Sequence, residues 1–178
     1  MPKNPDIDAE QPCWHILWTR SNCEQLVHDQ LSAKGFELFL PRLGRWSRRR
    51  GARYLAQVPM FPGYLFLRHA ICKTSYLEVC KAKGLVRILG ERWDRLGTVP
   101  DGEITGIQKV VQAGLPVMPY PYMHLREGER VRIARGPLAN VEGVVVKPEP
   151  KKGLLLLSIE LLRQCVAVQI DCTLVAAA

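Results

Sequence analysis

Six cysteines (positions 13, 23, 72, 80, 165 and 172) and four histidines (15, 28, 69 and 124) are the residues of this 178-residue chain best suited to metal or nucleophilic chemistry. Zinc sites need closely spaced thiolates and imidazoles, and no two of these cysteines fall at C-x-x-C spacing with a histidine at a ligand-like interval. The thiols read as reduced, small hydrophobes, and neither a metal nor a cofactor is expected. His15 falls on a strand face and His124 in a proline-rich stretch, so both read as structural or solvent-facing. Carboxylate pairs such as Asp6/Asp8 and Glu127/Glu129 lie in polar segments that solvation explains, and there is no P-loop, G-x-S-x-G, H-E-x-x-H or G-x-G-x-x-G signature. An enzyme is not expected.

The cluster with a chemical direction is cationic. Residues 42–53, RLGRWSRRRGAR, hold six arginines and no acid. The chain has 25 basic and 17 acidic residues, a net charge of +8, so the remainder is 19 against 17, or +2. Six like charges repel one another unless an anion visits, and guanidinium groups suit phosphate. Arg45, Arg48, Arg49 and Arg50 are therefore candidates for nucleic-acid contact, with Trp46 as a stacking surface and little base specificity implied. The plainer reading is a solvated hairpin tip.

Periodicity supplies the elements that must carry these groups. Trp14, Ile16 and Trp18 alternate with His15, Leu17 and Thr19 as in a strand. Ser21 and Glu24 form a capping box for a helix that stops at Gly35. FELFLP (36–41) is a second strand, the arginine segment a loop, and 53–58 with 60–68 a third, interrupted strand. A helix at about 74–82 leads to the strand LVRIL (85–89), and Asp101 caps a helix whose Ile104, Ile107, Val110 and Val111 share a face up to Gly114. This order, β-α-β-β-α-β plus a C-terminal helix, predicts an α+β, ferredoxin-like antiparallel sheet with helices on one face.

Three prolines (116, 119 and 121) disfavour helix and sheet alike over 114–124, which predicts an extended tether there. Beyond it, ERVRIAR, NVEGVVVKP, GLLLLSIEL and CVAVQID predict a small SH3-like β-barrel. LLLLSIELLRQC (154–165) also fits helical spacing, with strand preferred. The expected domains are a flexible tail at 1–12, a first domain at 13–113, the linker at 114–124 and the barrel at 125–178. No window of about 18 apolar residues and no apolar signal segment is present, so a monomer in the cytoplasm with no membrane partner is expected.

Residues 59–68, PMFPGYLFLR, read as a buried strand except for Pro62-Gly63. Proline cannot donate to a ladder and glycine admits the angles of a bulge, so a kink is expected that turns large aromatic rings toward a surface hollow. Such rings are typical interface anchors.

CWHILWT, MFPGYLFL and LREGERVRIARGPLANVEGVVV together resemble the NusG family of transcription elongation factors, including its specialised RfaH-like branch. The resemblance spans Cys13 to Val175 and implies an NGN-type domain followed by a KOW domain. It implies a grip on the β′ clamp helices of RNA polymerase through an apolar depression, where Trp18, Phe61, Pro62, Gly63, Tyr64 and Ile88 match the lining. Trp18 and Tyr64 also fit an ordinary core, and Trp14 is assigned to core. Upstream or displaced-strand DNA is the implied partner of the arginine segment, and Arg20 matches a place where RfaH-like members carry basic residues. Thr74-Ser75-Tyr76-Leu77-Glu78 departs from the threonine-rich patch that meets the polymerase β gate loop, so that contact is left open. In the KOW domain Gly136 and Pro137 are turn formers. Leu162, followed by Arg163, stands where the main branch has a partner-contacting aromatic and a glycine. Leu162 then either contacts a small-subunit ribosomal protein or merely caps the barrel, and pairing with termination factor Rho is disfavoured. A helical 154–165 would leave open an autoinhibited, fold-switching KOW domain.

The implied activity is suppression of pausing or termination by a processivity factor. Its competitors are a ribosome-associated RNA-binding protein and a general NusG acting with Rho. Salt separates the first two: an RNA complex held by arginines weakens steeply between about 50 and 200 mM salt, whereas an apolar grip on polymerase persists, as binding titrations at several salt concentrations will show.

Overall fold

The computed structural model describes residues 11–120, 128–146, 152–171 and 175–177. Much of the expected tail, His124, Glu127, Cys172 and the end of the linker lie outside the described residues. The elements run β1 (Cys13–Thr19), α1 (Glu24–Ser32), β2 (Glu37–Phe39), β3 (Arg42–Arg49), β4 (Ala52–Pro59), β5 (Tyr64–His69), α2 (Lys73–Cys80) and β6 (Leu85–Ile88). There follow β7 (Gly90–Arg92), β8 (Arg95–Leu96), β9 (Thr98–Val99), α3 (Asp101–Gln112) and β10 (Val117–Tyr120). The chain continues through β11 (Glu129–Ile133), β12 (Glu142–Val146), β13 (Lys152–Ile159), β14 (Gln164–Asp171) and β15 (Val175–Ala177). Two compact units result: 1–40 with 61–98, and 41–60 with 99–178. They do not follow the boundary expected at 113/114, because the β3–β4 ribbon and α3 fall in the second unit.

In the first unit the sheet order is β2-β5-β1-β6, with antiparallel pairing throughout. Counting only the strands on this path, the order is second, third, first, fourth, the ferredoxin-like arrangement that the sequence predicts. β1 is the interior strand, and Trp14, Ile16 and Leu17 bury both of its faces. α1 and α2 cover one face, where Val27, Leu31, Val79 and Ala82 pack with Leu17, Leu65, Leu67 and Ile88. Gly35 (φ +85°) ends α1 through its left-handed conformation, and its N–H donates to Ser32 O at 2.9 Å.

The second unit holds an antiparallel sheet of order β10-β14-β13-β12-β11-β15. Residues 152–159 are strand, so the extended alternative holds there and the helical one does not. β13 explains why its periodicity was ambiguous: Leu155, Leu157 and Ile159 bury one face while Leu156 buries the other. A strand covered on both sides has no polar alternation to display. The tether expectation is corrected over Val117–Tyr120, which form β10 and pair with Val168 to Cys165 of β14. Pro119 is compatible because β10 is an outermost strand.

α3 begins at Asp101 with Pro100 as its cap residue, so Asp101 supplies charge to the first turn and is not the cap. Lys109 Nζ donates to Ala139 O and the Glu160 N–H donates to a Glu103 carboxylate oxygen at 3.2 Å. A methyl at Gly106 would lie 3.4 Å from Val141 Cγ1 and 3.6 Å from Leu157. Those are contact distances, and a helical glycine costs about 1 kcal/mol relative to alanine. Gly106→Ala is therefore expected to raise the thermal midpoint, whereas Gly106→Leu should displace α3 and lower it; differential scanning fluorimetry on the two variants checks both signs.

Candidate interaction site

The interruption at 59–68 is a tight turn between two strands, which corrects the expected bulge. β4 ends at Pro59 and β5 begins at Tyr64. The Tyr64 N–H donates to Phe61 O at 3.0 Å, Pro62 holds the second position and Gly63 the third with φ +84°, the signature of a type II turn. Among the described residues β3 and β4 form a two-stranded sheet of their own, so the turn separates β4 from the sheet that β5 joins.

Gly63 is held on both sides of its Cα. Its N–H donates to Glu24 Oε1 at 2.7 Å, and its carbonyl accepts from Thr19 N at 2.8 Å and Thr19 Oγ1 at 3.2 Å. Glu24, only 5% exposed, is the first residue of α1, where the free amides and dipole of a helix start favour an anion. The expected capping box is thus corrected: the Glu24 carboxylate bonds a backbone amide 39 residues away. Gly84 (φ +92°) closes the same corner, for Arg20 N donates to Gly84 O at 2.8 Å and a Cβ at Gly84 would lie 2.7 Å from Cys23 Cβ.

Register then decides what reaches the surface. Trp18 pairs with Tyr64 on one side and Arg87 on the other, so these three form a row across one sheet face. Trp18 is 41% exposed, Tyr64 half-buried, and Arg87, Pro62 and Arg20 exposed. The neighbouring row, Leu65-Leu17-Ile88, points into the helix-covered core. Ile88 is therefore corrected to an interior residue, 3% exposed, by the alternation of a strand. Phe61 is corrected too: at 1% exposure it packs edge-on against Phe66, with ring centroids 5.9 Å apart. Phe39 and Trp14 continue that aromatic core. Arg87 was missed in the sequence, although its place one residue before Ile88 gives it the parity of Trp18 once β1 and β6 are aligned.

The arginines stand on a two-stranded ribbon, not in a loop. Arg45, Arg48 and Arg49 belong to β3, and Arg50 (φ +50°) with Gly51 (φ +84°) makes a two-residue turn of type I′ character. Arg48 lies directly across from Arg53, a repulsive pairing. Trp46, 64% exposed, carries the Arg53 guanidinium 5.3 Å from its ring centre. Leu55 shares its face, whereas Tyr54 shares the opposite face with Arg45 and Arg49, and all four are exposed.

Gly136 (φ +91°) and Pro137 sit exposed between β11 and β12, with Ala139 N donating to Gly136 O at 3.0 Å. Leu162 ends a 3-10 turn, half-buried, while its neighbour Leu161 is more exposed. Arg163 takes φ +50°, a left-handed conformation that glycine adopts without strain. On α2, Leu77 is exposed and Ser75 is engaged locally, accepting the Cys72 N–H at 2.9 Å. That Ser75 partnership also holds the Cys72 thiol below its ordinary range.

Among the described residues the cysteines are free thiols of differing exposure. Cys13, Cys72 and Cys80 are exposed, and Cys165 is buried, its pKa pushed up to about 11 by desolvation. His15 is a buried histidine whose Nδ1 lies 3.2 Å from Gly97 O. Among the described residues no group of three potential ligands is placed to hold a metal ion, and no helix is long and apolar enough to cross a membrane.

A family model described as "Transcription termination factor nusG" matches residues 12–108. The chain is 26% identical over 174 residues to the transcription termination/antitermination protein NusG of Yersinia pestis, covering 92% of this chain and 95% of that protein. Its identity to the NusG of Escherichia coli K12 is 27% over 123 residues, or 69% and 67% of the two chains. A solved structure described as "Domain interaction in Thermotoga maritima NusG" shares the fold at TM-score 0.55 and 19% identity, over 94% of this chain and 97% of that one. The strand-turn-strand of β1, Pro62-Gly63 and β5 lies within the matched segment, and the chain belongs to the NusG family of transcription termination and antitermination factors.

Proposed function

We propose that this chain is a specialised, RfaH-like elongation factor that grips the β′ clamp helices of RNA polymerase and opposes pausing or termination. The observation that carries the reading is the Tyr64-Trp18-Arg87 row beside the Pro62-Gly63 turn, where a large ring stands 41% exposed with a guanidinium at its side. Tryptophan, tyrosine and arginine are the residue types that dominate interface energetics. Phe61 supports the turn from inside, and Ile88 supports the strand. The function is binding without a catalytic step, carried out in the cytoplasm by a monomer.

The polymerase-binding role is assigned to the domain at 13–113 and the partner-recruiting role to the KOW domain at 125–178, whose sheet β10 extends through its pairing with β14. Arg45, Arg48, Arg49 and Arg50 hold phosphates of upstream or displaced-strand DNA, Arg20 is a further candidate for phosphate contact, and the exposed Trp46 ring, which carries the Arg53 guanidinium, adds a stacking surface. The KOW domain recruits its second partner, a small-subunit ribosomal protein, at the turn of Leu161 and Leu162. Arg163 in place of a glycine supports specialisation away from Rho.

Two sets of variants check this. With an isolated clamp-helix coiled coil as probe, Trp18→Asp is expected to weaken binding by about 30-fold, the equivalent of about 2 kcal/mol for an interface anchor. Wild-type protein that ignores the probe, or Trp18→Asp that binds like wild type, removes the proposal. Reversing Arg45, Arg48 and Arg49 to glutamate should leave that affinity intact, while it lowers the affinity for forked DNA and flattens its salt dependence by about one unit of slope per lost phosphate contact.

A further inference from the structure

We infer that Glu24 is the positioning residue of this grip: its carboxylate fixes the Pro62-Gly63 turn in the one orientation that sets Tyr64 alongside the Trp18 ring. The inference rests on the polymerase-binding reading above and adds to it a residue that makes no contact with the partner.

A type II turn is closed by the bond from the Tyr64 N–H to the Phe61 carbonyl, which leaves the central Pro62–Gly63 peptide, and with it the Gly63 N–H, without a partner inside the turn. In this chain the Gly63 N–H and carbonyl are both taken. Glu24 accepts the N–H at 2.7 Å, and Thr19 donates twice to the carbonyl, from its backbone and its hydroxyl. Thr19 is the last residue of β1 and Glu24 the first of α1, so the start of the helix and the end of the strand hold the two successive peptides that meet at the Gly63 Cα.

A buried carboxylate is retained only where bonds and field compensate it. Here the charge-assisted bond to Gly63 and the start of α1 supply both. Trp18 immediately precedes Thr19, and its Cδ1 lies 4.0 Å from where a Gly63 Cβ would sit. The ring therefore stands beside Gly63, next to the Pro62–Gly63 peptide that Glu24 orients, and a rotation of that peptide changes the surface beside Trp18 at the start of β5. A carboxylate that served only its own helix would leave this peptide unconstrained.

The test uses the full chain and the clamp-helix coiled coil, at a temperature where every variant is folded. Glu24→Ala is expected to weaken binding about tenfold, and Glu24→Gln, which keeps an acceptor oxygen, to restore it to within about threefold of wild type. Val27→Ala, a core truncation one turn along α1, should lower the thermal midpoint at least as far and change affinity less than about twofold. In solution NMR the Gly63 amide proton should move upfield and exchange faster in Glu24→Ala and hold its place in Val27→Ala. If Glu24→Ala does not fold, Glu24→Asp, which keeps the charge at the start of α1 and shortens the side chain by one carbon so that it no longer reaches the Gly63 N–H, replaces it with the same expected readouts. Unchanged affinity in Glu24→Ala, or an equal loss in Val27→Ala, overturns the inference. If wild type does not bind the coiled coil, the polymerase reading fails, and the Gly63 amide still decides whether Glu24 orients the turn: an amide unmoved in Glu24→Ala sinks that as well.

Discussion

A single charge-assisted hydrogen bond, from the Gly63 amide to the buried Glu24 carboxylate, ties the start of α1 to the turn beside the exposed Tyr64-Trp18-Arg87 row of the first unit. Hydrogen bonds to charged groups contribute about 1.5–3 kcal/mol net, and leaving either partner buried and unpaired costs a comparable amount. The bond spans α1 and the β4–β5 connection, which nothing in the local sequence would otherwise hold in register. Thr19 makes the second half of the same clamp, so the sheet, the helix and the turn meet at one residue, Gly63. The exposed row follows from it: once β5 starts at Tyr64, antiparallel pairing places Trp18 beside it and Arg87 beyond.

Charge is managed differently in the ribbon. An isolated two-stranded hairpin is marginal in water, and this one adds arginines directly across from each other at its tip. Two features oppose that cost. The I′ turn at Arg50-Gly51 matches the natural twist of the strands, and the Trp46 ring spreads the Arg53 charge over its face. The remaining field is directed outward, available to a polyanion, while Trp46, Tyr54 and Leu55 keep apolar surface on both faces of the same ribbon.

Much of this was legible in the sequence, and the failures have physical causes. β1 was legible as a strand from its run of alternating large residues, although Trp14 to Leu17 are all buried, and the four runs of the C-terminal region match β11 to β14 closely. The family resemblance rested on residues that do sit at the turn and at the sheet's exposed corner. Glu24 was misread because a capping box and a long-range clamp place the same residue type at the same spot; only the fold brings Gly63 within reach. Ile88 was misplaced by one position, since parity along β6 depends on a register that no single strand specifies. Phe61 looked like an anchor by residue type, yet it precedes the turn, and its ring meets Phe66 instead of solvent. The arginine run read as loop because charge masks strand periodicity, even though a two-residue Arg-Gly turn was present in it.

β10 has a further effect on how the molecule behaves in company. Outermost strands are templates for unwanted pairing with other chains, and Pro119 stands within this one, flanked by exposed Met118. A proline there withholds one of the donors that an incoming strand would need. The segment between α3 and the barrel thereby acts as a selvedge, a finished border that stops the sheet from being knitted onward into a fibre at high concentration.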